Sequence, residues 1–121
     1  MGTPAENLQT GQIIWALLKD SRGFRKQRPA IILTPTDEID EEKPVLVMCI
    51  TTTFPDPTPD NHLSLPWNAD PRRVTTRLAR RSAAVLDWLD TLYPDEVIAL
   101  KGHVPQRLMD EIQRRMRMLE E

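Results

Sequence analysis

The run Val45-Leu-Val-Met-Cys-Ile50 is apolar without a break and leads into Thr51-Thr-Thr53. Its length is that of a strand, and a strand with no polar alternation must be covered on both faces, so it belongs at the centre of a sheet. The sequence supplies neighbours on either side. Ile13–Leu18 is rich in strand formers, and the Lys-Asp-Ser-Arg-Gly run ends it. Ala30–Thr34 is a second strand, stopped by Pro35, and Val45–Thr53 is the third. Residues 62–67 alternate, with Leu63 and Leu65 on one face and His62 and Ser64 on the other. Ala83–Leu89 and Val97–Leu100 are further strands, joined through Tyr93-Pro94-Asp95, whose proline and aspartate favour a turn.

Between these runs stand segments that cannot pair. Phe54-Pro-Asp-Pro-Thr-Pro-Asp-Asn61 holds three prolines, each without a backbone donor, and is predicted as an exposed loop. Asn68–Arg73 is a turn. Near the C-terminus the period changes: Leu108, Ile112, Met116 and Leu119 are spaced by four, four and three residues, which puts them on one helical stripe. Pro105 suits the first turn of that helix, predicted from Pro105 to about Glu120 and packed on the sheet. Met109 and Met118 fall off the stripe and hint at contact with a partner. Met1–Thr10 has little apolar content and is predicted as a flexible lead-in. Residues 11–121 then form one mainly β domain with a C-terminal helix, a small and strongly bent sheet or barrel.

The chain has a net charge of −2, so its overall field makes no case for nucleic acid. The distribution of charge does. Of sixteen Lys and Arg residues, four lie between Arg22 and Arg28 and five between Arg72 and Arg81, while Asp37, Glu38, Asp40, Glu41 and Glu42 cluster elsewhere. Positive charge is local and could line one site, although charge runs are also ordinary solvated loops. The segment Arg22-Gly-Phe-Arg-Lys-Gln-Arg28 reads as a basic loop in front of the strand opened by Pro29, a place suited to phosphate. The single Cys49 sits in the apolar run and reads as a buried thiol in a reducing compartment. The N-terminus lacks the layout of a secretory signal and the apolar stretches are of strand length, so the expected location is the cytoplasm, away from membranes.

Strand, basic segment, strand and strand, in that order, resemble the MazF/PemK family of toxin endoribonucleases. Gly11-Gln-Ile-Ile-Trp15 looks like the family's first strand, and Gln27-Arg28-Pro29-Ala30 like its Arg-Pro-Ala or Arg-Pro-Val signature. Ile50-Thr51-Thr52 resembles its Ile-Thr-Ser/Ala motif, and Leu100-Lys-Gly-His-Val104 before a helix resembles its ending. No one motif is specific, but the ordered set covers nearly everything from Gly11 onward. The resemblance implies an SH3-like barrel of the plasmid-maintenance-toxin type and a homodimer. It also implies cleavage of single-stranded RNA without metal or cofactor, and neutralisation by a cognate antitoxin.

Residue by residue, Arg28 matches the family's catalytic arginine, and a guanidinium can clamp two phosphate oxygens as negative charge builds. Thr51 matches its catalytic threonine at a strand end. Cleavage without a metal uses the substrate's own 2′-hydroxyl, and His62 is a candidate acceptor for that proton, against the alternative of a hydrogen-bonded histidine at a strand edge. His103 reads as structural. Arg25, Lys26, Arg72, Arg73 and Arg77 could track the RNA backbone, while Trp67, Trp88 and Phe24 could offer faces to unstacked bases. Trp15 reads as core packing. One departure stands out: where the family often has Gln-Ile-Arg-Thr, this chain has Trp88-Leu-Asp90-Thr91, so an acid replaces the second arginine. Either another cation such as Arg77 or Arg80 serves, or the chain is a weak or inactive member that binds protein, as gyrase-poisoning relatives do, or binds RNA without cutting it.

Overall fold

In the computed structural model, which describes residues 4–119, the apolar run is the interior strand of an antiparallel sheet. The strands are β1 (Gln12–Lys19), β2 (Arg25–Ile32), β3 (Val45–Thr51), β4 (His62–Leu65), β5 (Ser82–Leu92) and β6 (Ala99–His103), followed by helix α1 (Gln106–Leu119). They form one six-stranded sheet in the order β4-β5-β3-β2-β1-β6. Val45, Val47, Met48 and Cys49 are fully buried, as an unbroken apolar strand requires.

Alternation along β3 sends its side chains into two cores. Met48 and Ile50 join Ile13, Ile31, Leu63 and Leu65 under Met109 and Ile112 of α1. Val45, Val47 and Cys49 join Ile14, Ala30 and Ile32 on the other face, closed by Leu8, Leu92 and Val97. Burial pushes the Cys49 thiol up to about 12; nearby Asp90 adds to the shift and Arg28 opposes it.

Several boundaries differ from those expected. β2 begins at Arg25 rather than Ala30, because β1 supplies it with backbone partners from Lys19↔Arg25 onward whatever its side chains are. The supposed basic loop is therefore mostly strand, and the true turn is Asp20–Phe24. There Gly23 takes φ +84, and Asp20 Oδ1 accepts from the backbone N–H of Arg22 and Phe24. β4 stops at Leu65, β5 runs on to Leu92, and β6 is shifted to Ala99–His103. In α1, Met109 is buried in the core instead of facing a partner, whereas Leu119 on the expected stripe is 62% exposed beside Met118. The first turns of the helix cover the sheet and the last overhangs it; Glu120 lies outside the described residues. So do residues 1–3 of the expected lead-in, but Leu8 within it is buried and packs into the second core. No helix among the described residues is long and apolar enough to cross a membrane.

The connection from β4 to β5 folds back over the β6 edge. Thr76 is fully buried and donates to the Pro66 carbonyl at 2.6 Å, Asn68 N–H donates to the Leu78 carbonyl, and His103 N–H donates to the Thr75 carbonyl at 3.0 Å. Gly102 allows this approach, since a Cβ there would lie 2.0 Å from the Thr75 oxygen and 2.6 Å from the Thr76 carbonyl carbon. Gly102→Ala must push two backbones apart and is expected to cost roughly 1–3 kcal/mol or more of stability. Urea unfolding reads this directly, and an unchanged midpoint would show that the two segments are not in contact.

Candidate functional site

The main cleft opens where the β2–β3 ladder ends. The register Ala30↔Cys49, Ile31↔Met48, Ile32↔Val47 would, if continued, set Pro29 against Ile50 and Arg28 against Thr51. Pairing stops at Ala30. Leu33 N–H donates to the Leu46 carbonyl across the same pair of strands. Alternate residues of a strand point the same way, so the nitrogen of Pro29 also faces β3, with no hydrogen to give. Beyond it the strands separate, and Arg28 and Thr51 line the two sides of a cleft of about 500 Å³.

That cleft brings together some of the expected set. Lys26, Arg28, Arg77, Arg80 and Lys101 line it, and no aspartate or glutamate does. A second cleft of about 470 Å³ shares Arg77 and Lys101 with it and adds Arg72 and Arg73, so the basic surface is continuous. Thr51 is pinned at the strand end, its hydroxyl accepting from Thr53 N–H at 3.1 Å and donating to the Thr53 carbonyl at 3.2 Å.

Other expected residues lie elsewhere. His62 is on β4, which lies beyond β5 from β3. Its ring sits 5.7 Å from that of Phe54, and its Nδ1 is 2.7 Å from the Asn61 side-chain oxygen. The cleft it lines contains neither Arg28 nor Thr51, so the structure does not bring His62, the candidate proton acceptor, together with them. Arg25 and Trp67 are exposed but border neither basic cleft. Trp88 is no free platform: its indole N–H donates to the Lys19 carbonyl at 2.9 Å and the Arg28 guanidinium covers its ring at 5.1 Å. Phe24 is 66% exposed, under Arg22. Among the described residues no group of three or more His, Cys, Asp or Glu is placed to hold a metal ion.

Trp15, expected in the core, instead lines the main cleft half-buried, with the Lys101 ammonium 5.7 Å from its ring. Its indole N–H is buried without a partner among the described residues. The uniformly apolar run Ile13–Leu18 carried no signal for this. On the face of β1 that carries Ile13, residues 15 and 17 run outward from buried to exposed, so the strand outgrows its cover.

Arg28 is held on both sides. Its Nε donates to the Leu18 carbonyl at 3.4 Å, and its Nη2 is 3.6 Å from Asp20 Oδ2. Behind it is an acidic cleft lined by Asp20, Asp87 and Asp90. Asp90 there accepts from the backbone N–H of Thr91 at 2.8 Å and of Lys19 at 3.4 Å. Asp90 thus lines this acidic cleft and not the main one.

Residues 9–119 match the model of the PemK-like, MazF-like toxins of type II toxin-antitoxin systems. Among solved structures, MazF from Deinococcus radiodurans superposes with a TM-score of 0.69 at 15% identity, over 93% of this chain and 94% of that one. MazF in the MazE-MazF complex of the same organism gives 0.67 at 15% identity, with the same coverage. An endoribonuclease from Mycobacterial species, solved in complex with its cognate antitoxin, gives 0.66 at 19% identity over 90% of each chain. These likenesses show a shared fold. Comparison with curated proteins finds no match.

Asp20 ties the hairpin turn to Arg28, and its titration reports the tie. Burial works against its charged form, but the N–H groups of Phe24 and Arg22, with the Arg22 and Arg28 cations, hold its carboxyl below the ordinary 3.8. A carboxyl lowered on folding stabilises the folded chain fully above its unfolded value and loses that contribution as pH falls through the folded one. Asp20→Asn keeps an acceptor oxygen for the turn and removes the charge. Its urea midpoint should lie below the parent's at about pH 7, and the gap should close as pH falls below the ordinary carboxylate range; an equal gap at neutral and acid pH would break the link.

Proposed function

The chain belongs to the PemK-like, MazF-like toxin family of type II toxin-antitoxin systems, and from that premise we propose that it is a sequence-selective endoribonuclease cutting single-stranded RNA. The observation that carries the reading is the cleft between Arg28 and Thr51, lined by five cations and no carboxylate in a chain whose net charge is −2. Such a groove attracts a phosphate backbone, and Trp15, whose ring carries Lys101, gives its wall an aromatic surface.

The reaction we assign is transesterification without a metal. The 2′-oxygen of the substrate bonds to the adjacent phosphorus, the bond from phosphorus to the 5′-oxygen breaks, and the products are a 2′,3′-cyclic phosphate and a 5′-hydroxyl. The 2′-hydroxyl gives its proton to water, and the leaving 5′-oxygen takes one up from water. Arg28 stabilises the charge on the non-bridging oxygens while Thr51 orients the phosphate, so catalysis rests on placement and electrostatics. DNA, having no 2′-hydroxyl, is not cut. Lys26, Arg72, Arg73 and Arg77 guide the strand through the joined clefts, and Arg25 and Trp67 lie outside them. Because solved relatives include an endoribonuclease with its cognate antitoxin, we assign this chain an antitoxin partner as well. It acts as a homodimer in the cytoplasm, where its single thiol stays reduced.

One observation favours a second reading, RNA binding without cleavage: Arg28 is already engaged by Asp20 at 3.6 Å and by Trp88. Purified protein incubated with single-stranded RNA and a chelator decides between them. The parent should release fragments with cyclic phosphate ends. Arg28→Ala should slow release by about 10³-fold while remaining folded. Salt-dependent retention of RNA with no product from the parent would instead establish the binding reading.

A further inference from the structure

The proposed reaction places extra negative charge on one phosphate, yet most guanidiniums near the cleft are already spoken for by protein acceptors. Arg72 grips Asp70 with two nitrogens at 3.0 and 3.2 Å, and Arg73 lies 3.6 Å from the same carboxylate. Arg77 sits at φ 60, in the left-handed region, and donates to the Arg72 carbonyl at 2.7 Å, clasping its own loop. Arg81 donates to the carbonyls of Phe54 and Pro55 and lies 3.8 Å over the Phe54 ring. Arg28 is shared with Asp20. Arg80 differs from them all: it is exposed, lines the main cleft with Thr51, and its guanidinium has no acceptor among the described residues.

Its backbone, by contrast, is fixed. Buried Leu78 anchors the chain two residues before it, and the Ser82 hydroxyl donates to the Arg80 carbonyl at 2.7 Å just as β5 begins. The ladder of β5 with β3 then sets Ala83 opposite Thr51. A free planar fork on a held backbone, within a few residues of the phosphate-orienting threonine, suits bidentate capture of phosphate oxygens. Lys26 and Lys101 line the same cleft, but each offers only a point charge, and Lys101 already stands over Trp15.

We propose that Arg80 is the second phosphate-clamping cation of this site, contacting the scissile phosphate from the β5 side while Arg28 contacts it from the β2 side. The proposal rests on the endoribonuclease reading, and the experiment separates the two. Cleavage of a single-stranded RNA by the parent, Arg80→Ala and Arg80→Lys is followed at saturating and limiting RNA, with melting curves for each. Arg80→Ala should lower kcat by about 10²-fold or more with KM changed less than about threefold, since the contact tightens in the transition state. Added guanidinium ion should restore some of the rate lost in Arg80→Ala, which no purely structural role would allow, and Arg80→Lys should retain an intermediate rate. If the parent cuts and Arg80→Ala keeps a kcat within about threefold of it, or loses only in KM, Arg80 is not a clamp, although the enzyme reading stands. A parent that leaves RNA intact overturns both.

Discussion

A missing hydrogen at Pro29 sets where the main cleft of this molecule opens. β2 and β3 are paired from Ala30 inward, and the register would carry on to bring Arg28 against Thr51 as an ordinary cross-strand pair. A donor at residue 29, pointing at β3, would favour that closure and fill the space with backbone. Proline removes the donor, the strands diverge just before Arg28, and two side chains that would have been neighbours become the walls of a cleft. β2 survives the loss because β1 continues to bond it as far as Arg25. The same residue therefore ends one ladder and leaves the other intact, and only a strand held from one side can present its cations to an open groove.

The opposite wall depends on a different contact. The long connection between β4 and β5 carries the second group of arginines and would be free to move if it touched nothing. Gly102 lets its backbone lie directly against β6, with Thr75 bonded to His103 and Thr76 buried beneath. Once the connection is held there, its arginines are sorted by what lies within reach. Those beside Asp70, the Arg72 carbonyl and Phe54 are exposed but also brace the loop. Arg80, beyond them, lines the cleft with no acceptor among the described residues. Rigidity of the backbone and freedom of a single side chain arise from the same packing.

The sequence made the centre of this structure legible and its edges obscure, for physical reasons. An unbroken apolar run has one comfortable place, so β3 could be read as interior; three prolines in eight residues likewise left 54–61 no place in a sheet. The helix followed from its spacing, although Met109 proved to be core because the stripe is wider than a strict a-to-d seam. By contrast, Arg25–Arg28 shows no apolar alternation, because its membership of the sheet rests on backbone bonds that side chains do not advertise. Arg28 and Thr51 were legible through motifs on either side of the cleft. The separation of His62 from them was not, since it depends on β4 lying beyond β5. Neither was the selection among five arginines, which is made by Asp70, Phe54 and a carbonyl brought in by the fold.

Charge is separated across a very short span. On one side of Arg28 is a cleft without a carboxylate; on the other, Asp20, Asp87 and Asp90 line a second one. The divider is Arg28 itself, laid over Trp88, whose indole N–H is fixed to the Lys19 carbonyl. A guanidinium stacked on a ring and facing an acid loses little freedom when a phosphate arrives, because its orientation is already set. The acid behind it weakens the field it can offer in front. On the proposed reading Arg28 both orients the phosphate and shares in stabilising its charge, and a cation with no acid at its back, as Arg80 is placed, would add to that field.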